Sequence, residues 1–137
     1  MIDIEFIENP DDEYVKPIVD GVLEYGESLV GLNSPIKYAS HLFDGKVLVG
    51  GTVGYRQFDR FYLTHIWVDS KHRGNGLGSK LLQSLEHELK ILGCTSIILE
   101  TLNERAVKFY ECLGYSIISE IKEYVKGFDL VHLTKTI

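Results

Sequence analysis

The sequence predicts a single α/β (α+β) domain built on one mixed, mostly antiparallel sheet with flanking helices. Three observations predict it. Strand-like runs at 38–43 and 47–57 meet at Asp44-Gly45, a dipeptide suited to the left-handed angles of a tight hairpin. A leucine-striped segment with helical spacing lies between two strand-like runs, 61–68 and 96–101, which is the pattern of a parallel strand–helix–strand unit. Two further strand-like runs, 115–123 and 129–136, close around Lys126-Gly127. The chain has 137 residues, enough for one domain over 1–137 and too few for two. The expected order is β-α-β-β-β-α-β-α-β-β, with no repeat and no linker.

Taken in order, Ile2, Ile4 and Phe6 alternate with Asp3 and Glu5, a half-buried strand pattern. Asn9-Pro10-Asp11 supplies a turn and a helix start. Residues 12–25 then carry Val15, Ile18, Val19, Val22 and Leu23 on one side, with Pro17 requiring the helix to begin late. Residues 26–35 read as a loop. The runs 38–43, 47–57 and 61–68 are joined by short turns, so they must be antiparallel neighbours. Gly50, Gly51 and Gly54 inside the middle run point to a bulge or to close packing. After a polar loop at 69–75, a helix over 76–92 places Leu77, Leu81, Leu82, Leu85, Leu89 and Leu92 on one face, and Gly93 ends it. The apolar run 96–101 reads as a strand buried on both faces. Ala106, Phe109, Tyr110 and Leu113 then stripe a short helix over 104–113, which ends at Gly114.

Composition narrows the function. Fourteen basic against twenty acidic residues give a formal charge of -6, which leaves no broad cationic surface for a phosphate backbone, so nucleic acid is not expected as a partner. No apolar stretch approaches the roughly 20 residues of a membrane-spanning helix, and the acidic start lacks the positive segment of an export signal. Cys94 and Cys112 fit no metal or redox spacing and read as reduced, buried packing thiols. Asp11-Asp12-Glu13 reads as a solvated helix start, and no metal site is expected. A cytoplasmic protein is the default expectation.

The most informative segment is Arg73-Gly74-Asn75-Gly76-Leu77-Gly78-Ser79-Lys80, placed between a strand and the leucine-striped helix. A helix N-terminus leaves its first N–H groups unpaired and partially positive. Glycines there let an anion approach those amides, and Arg73 adds a fixed cation with several donors. The spacing is neither the G-x-G-x-x-G of dinucleotide folds nor that of the phosphate-binding loop of nucleotide hydrolases. Three antiparallel strands before the loop also argue against a nicotinamide-binding domain.

These residues resemble the GNAT N-acetyltransferases. Arg73-Gly74-Asn75-Gly76-Leu77-Gly78 is similar to that family's Gln/Arg-x-x-Gly-x-Gly/Ala signature. Asn103-Glu104-Arg105-Ala106-Val107-Lys108-Phe109-Tyr110-Glu111-Cys112-Leu113-Gly114-Tyr115 is similar to its second motif, at the expected separation. The resemblance covers nearly the whole chain. It implies acetyl-CoA as co-substrate and direct transfer of acetyl to a primary amine of a small molecule or peptide in a ternary complex. It also implies that two central strands splay apart, with Ile66, Trp67 and Val68 offering backbone groups to the pantetheine arm and the acetyl carbonyl. Arg73, Gly74, Asn75, Gly76, Leu77, Gly78 and Ser79 would bind the pyrophosphate. Asn103, Ala106 and Phe109 would line the arm, and Tyr110 would be the general acid. Asn103 also fits as a plain helix cap.

The base is open. Strand alternation puts Tyr62 and Thr64 on one face and Leu63, His65 and Trp67 on the other unless a bulge intervenes. His65 is one candidate and Glu100, as base or as anchor for a cationic acceptor, is another; a water relay is a third. Trp67 reads as a packing anchor, and His72 as a phosphate contact or a solvated side chain. The acceptor pocket is expected from residues 25–35, the strand at 61–66 and the hairpin at 124–128. Many family members are dimers, so a homodimer is a further implied possibility. A non-catalytic acyl-CoA sensor is the competing function.

Overall fold

A computed structural model describes residues 1–31 and 34–137. The chain divides into two compact units, Met1–Ser34 and Pro35–Ile137. In the first, α1 (Asp12–Val30) begins at Asp11 with Asp12 and Glu13 in its first turn, where the helix dipole favours acidic side chains. It starts before Pro17 instead of after it, at the cost of one missing N–H donor, and it runs a turn past the expected end through Gly26. Gly31 stops it, with φ 94° and its N–H donating to the Glu27 carbonyl. The remainder of the predicted 26–35 loop includes residues 32 and 33, outside the described residues. The strand expected at 2–7 is not formed. Among the described residues its own unit offers no second strand, and an unpaired extended segment has no partners for its backbone groups beyond water.

The second unit holds a six-stranded sheet with spatial order β1-β2-β3-β4-β6-β5. Its elements are β1 (Ile36–Asp44), β2 (Val47–Gln57), β3 (Arg60–Val68), α2 (Leu77–Ile91), β4 (Ser96–Thr101), α3 (Glu104–Cys112), β5 (Ser116–Val125) and β6 (Phe128–Thr136), with a single 3-10 turn over Ser70–His72. All neighbours are antiparallel except β3 and β4. The fold class is thus the expected one, and the strand ends fall within two residues of expectation. The leucine stripe of α2 buries Leu81, Leu82, Leu85 and Leu89. Leu82, Leu85 and Leu89 meet Phe61 and Leu63 of β3, Ile97 and Leu99 of β4, Val107 and Tyr110 of α3, and Leu133 of β6 in one core. Cys94 joins that core, but Cys112 is exposed. Cys112 lies about 200° round the helix from Tyr110, off the apolar stripe.

One polar cluster ties α2 to the far strands. Glu86, 13% exposed at its side chain, accepts from the Tyr115 hydroxyl at 3.0 Å and from Lys135 Nζ at 2.9 and 3.1 Å. Glu86→Ala would leave a half-buried ammonium and a phenol without their acceptor, so urea unfolding is expected to show a loss of about 2 kcal/mol. Glu86→Gln, which keeps an acceptor for the phenol, is expected to lose less.

Candidate active site

The site begins with a break in the sheet. β3 and β4 pair only at Arg60↔Ser96, Phe61↔Ile97 and Tyr62↔Ile98. Beyond these the two strands share no register, and their facing edges part. The cause lies on the other side of β3. Its partner β2 pairs Val53 with His65 but Gly54 with Leu63, so Thr64 is an extra residue with no counterpart. The Thr64 hydroxyl donates to the Val53 carbonyl at 2.9 Å and fastens the bulge. An added Cβ on Gly54 would collide with the Tyr62 carbonyl oxygen, which accounts for the glycine in β2.

The bulge also resets which side chains share a face. Before it, Phe61 and Leu63 are buried; after it, Ile66 packs against the core. His65 and Trp67 are turned outward, and the simple alternation expected from the sequence is corrected by one position. Trp67 is 49% exposed and is not the packing anchor expected of it.

On one side of the split lies a cavity of about 630 Å³. Ile66, Trp67 and Val68 line it, as do Arg73, Gly74, Gly76, Leu77, Gly78, Ser79, Asn103, Ala106, Phe109 and Tyr110. Every residue expected to hold the co-substrate is therefore at this cavity except Asn75. The Asn75 amide instead donates to the carbonyls of His72 and Arg73, at 3.2 and 3.4 Å, and braces the loop. Gly74 and Gly76 have φ of 78° and 73°, which a side chain would strain. Gly76 caps α2, and Lys80 N–H makes the first helical bond back to its carbonyl at 3.1 Å. The amides of Leu77, Gly78 and Ser79 precede that bond and have no helical acceptor. Arg73 Nε donates to the Val68 carbonyl at 2.9 Å, which fixes the guanidinium at the mouth of the loop. A Cβ on Gly78 would stand 3.2 Å from the Phe109 ring, so the glycine lets α3 approach.

Asn103 caps α3 by accepting from the Arg105 N–H at 2.9 Å, leaving its amide donors for a ligand. Tyr110 is only 6% exposed, with its ring set edge-on to Phe109 and Tyr115. Among the described residues nothing hydrogen-bonds its hydroxyl, and burial raises its pKa above the ordinary 10.0, which keeps the proton on.

His72, at the same cavity, is held on both nitrogens: Nε2 lies 3.0 Å from Asp44 and Nδ1 3.1 Å from Asp69. These carboxylates, Asp44 first, raise its pKa above the ordinary 6.5, and His72 lowers that of Asp69 below 3.8. The His72 contribution to stability is complete below pH 6.5 and is lost as pH rises through its higher folded value; that of Asp69 is lost as pH falls through its depressed value. The melting temperature of the ligand-free protein is therefore expected to decline on the alkaline side of 6.5. His72→Gln should flatten that decline in a thermal scan across pH.

A second cavity, of about 480 Å³, lies where β2, β3, β4 and β6 contribute Tyr55, Tyr62, Leu63, Thr64, His65, Ile98, Leu99, Glu100 and His132. Tyr55 and Tyr62 stack at 5.3 Å, a flat aromatic wall. His65 Nδ1 is 2.9 Å from the Thr64 hydroxyl. Glu100 is 2.9 Å from His132 Nε2, and His132 Nδ1 is 2.9 Å from Ser119. His65 and Glu100, the two candidate bases, thus share one cavity, whereas Tyr110 lies at the other. The hairpin tip at 124–128 does not line it, and residues 32 and 33 of the predicted pocket lie outside the described residues. Sequence reasoning missed His132 and Tyr55. Only the β4–β6 register, which pairs Glu100 with His132, brings the former to the site.

Residues 4–115 match the family described as Acetyltransferase (GNAT) family. The chain belongs to that family. Among curated relatives, it is 35% identical over 89 residues to a blasticidin-S acetyltransferase of Streptomyces morookaense, a match that covers 64% of this chain and 65% of that one. The chain thus spans just under two thirds of that relative's length. A crystal structure from Agrobacterium tumefaciens has the same GNAT fold, with a TM-score of 0.92 at 24% identity over 99% of this chain and 100% of that one. A GNAT family acetyltransferase from Elizabethkingia anophelis, solved with acetyl-CoA bound, has a TM-score of 0.66 at 16% identity and covers 94% and 85% of the two chains.

Proposed function

We propose that the chain, as one N-acetyltransferase domain, moves an acetyl group from acetyl-CoA to a primary amine by direct transfer in a ternary complex. The observation that carries this is that consecutive segments of one strand, β3, line two cavities: residues 66–68 the first and 62–65 the second. The first cavity fits the co-substrate. Its free α2 amides and Arg73 suit a diphosphate, and the unpaired edge of β3 suits an extended pantetheine arm. The Elizabethkingia protein, which shares the fold, was solved with acetyl-CoA bound.

The second cavity would hold the acceptor, with the Glu100 carboxylate favouring a cationic amine and the tyrosine wall its carbon frame. The amine loses a proton to a group of the second cavity and attacks the thioester carbon. Backbone N–H groups of β3 meet the oxygen where charge develops. The C–S bond breaks as the sulfur takes the Tyr110 proton. Thiol release from acetyl-CoA over a panel of primary amines, polyamines, aminoglycosides and peptides tests this. Release with at least one cationic amine is expected. Tight binding of acetyl-CoA with no release from any acceptor would make the chain a sensor and overturn the proposal.

A further inference from the structure

The bulge that opens the sheet also decides which nitrogen of His65 is free. Thr64 Oγ1 lies 2.9 Å from the Val53 carbonyl oxygen and 2.9 Å from His65 Nδ1. A hydroxyl has one proton to give. The carbonyl has none, so two oxygens at that distance repel unless the hydroxyl proton lies between them. Thr64 therefore donates to Val53, and only its lone pairs face His65. To bond with them, Nδ1 must carry the ring proton. In the neutral ring Nε2 is then bare, and in the charged ring Nε2 is the nitrogen that exchanges its proton.

We infer that Thr64 is a positioning residue that fixes the His65 tautomer, making His65 Nε2 the proton acceptor for the amine in the second cavity. The inference rests on the acetyltransferase reading and deepens it. The competing base, Glu100, already has one carboxylate oxygen committed to His132 at 2.9 Å, which suits an anchor for positive charge. The step balances. An ammonium proton passes to His65 Nε2, and the freed lone pair forms the C–N bond. The C–S bond breaks with the Tyr110 proton going to sulfur. The imidazolium then yields its proton to solvent, and the acetylated nitrogen gives up its second proton through water to the Tyr110 phenolate, leaving a neutral amide, the thiol and the phenol.

The test reads the tautomer apart from turnover. Nitrogen-15 NMR of ligand-free protein, above the pH at which the ring has lost its second proton, is expected to show Nδ1 protonated and Nε2 bare, with the signals assigned from His65→Gln. Thr64→Ser keeps the hydroxyl and is expected to keep both tautomer and turnover. Thr64→Val removes it and is expected to shift the ring toward the Nε2–H form. That variant should lower kcat about 10-fold with KM for acetyl-CoA unchanged, since a base in the wrong tautomer cannot accept the proton. A wild-type ring protonated at Nε2 overturns the inference, even if Thr64→Val fails to fold. So does a Thr64→Val protein with a shifted tautomer and wild-type kcat. Absence of thiol release from the wild type with every amine would instead sink the acetyltransferase reading, and the tautomer spectrum would stand apart from it.

Discussion

Tyr110→Phe is expected to lower kcat about 10²- to 10³-fold while leaving KM for acetyl-CoA nearly unchanged. The substitution removes one oxygen and little else. The ring keeps its edge contacts to Phe109 and Tyr115 at 5.2 and 5.6 Å, and no described residue loses a hydrogen bond. Stability should therefore hold, and the change isolates proton delivery to the departing sulfur. A loss of that size corresponds to about 3–4 kcal/mol of transition-state stabilisation. Because burial holds the phenol above its ordinary 10.0, kcat should show no alkaline limb from this group at or below that pH. Stopped-flow acetyl transfer and thermal melting, measured on one preparation, give both halves. Wild-type turnover in the variant would remove Tyr110 from the mechanism.

Gly54→Ala is expected to have the largest effect on folding. An added methyl at this position would meet the Tyr62 carbonyl oxygen and the ring of Phe61, a residue with no solvent exposure. A backbone oxygen cannot swing aside as a side-chain tip can, so β2 and β3 must separate. The cost is expected at about 3 kcal/mol, the upper part of the usual range for overpacking. Activity should fall as well, because the register step between Val53 and Gly54 is what leaves Thr64 unpaired. Urea unfolding and kcat/KM should drop together. A variant with unchanged stability would show that the two strands are not in the contact described.

How much of this was legible beforehand depended on whether a feature was local. The α2 stripe, the first hairpin and the glycine turn are set by residues within a few positions of one another, and all three form, with the hairpin turn one residue later than read, at Gly45-Lys46. The residues expected to hold the co-substrate were picked out by motifs for the same reason, and all but Asn75 line one cavity. What failed was long-range. The 2–7 alternation fits a strand, but a strand exists only with a partner, and sequence alternation does not supply one. The glycines of β2 announced a bulge, yet not its position, and one position decides whether His65 and Trp67 face the core or the outside. His132 sits beside Glu100 through strand pairing across more than thirty residues, which no local pattern encodes.

The two-sided use of β3 has an evolutionary reading. In the proposed reaction the donor is handled by main-chain atoms and by a loop whose positive-φ glycines a side chain would strain, whereas the second cavity is walled by side chains such as Tyr55, Tyr62 and His132. Selection for a new nucleophile can therefore rewrite one wall and leave the other intact. Relatives sharing this scaffold would then diverge in what they modify far sooner than in what they consume.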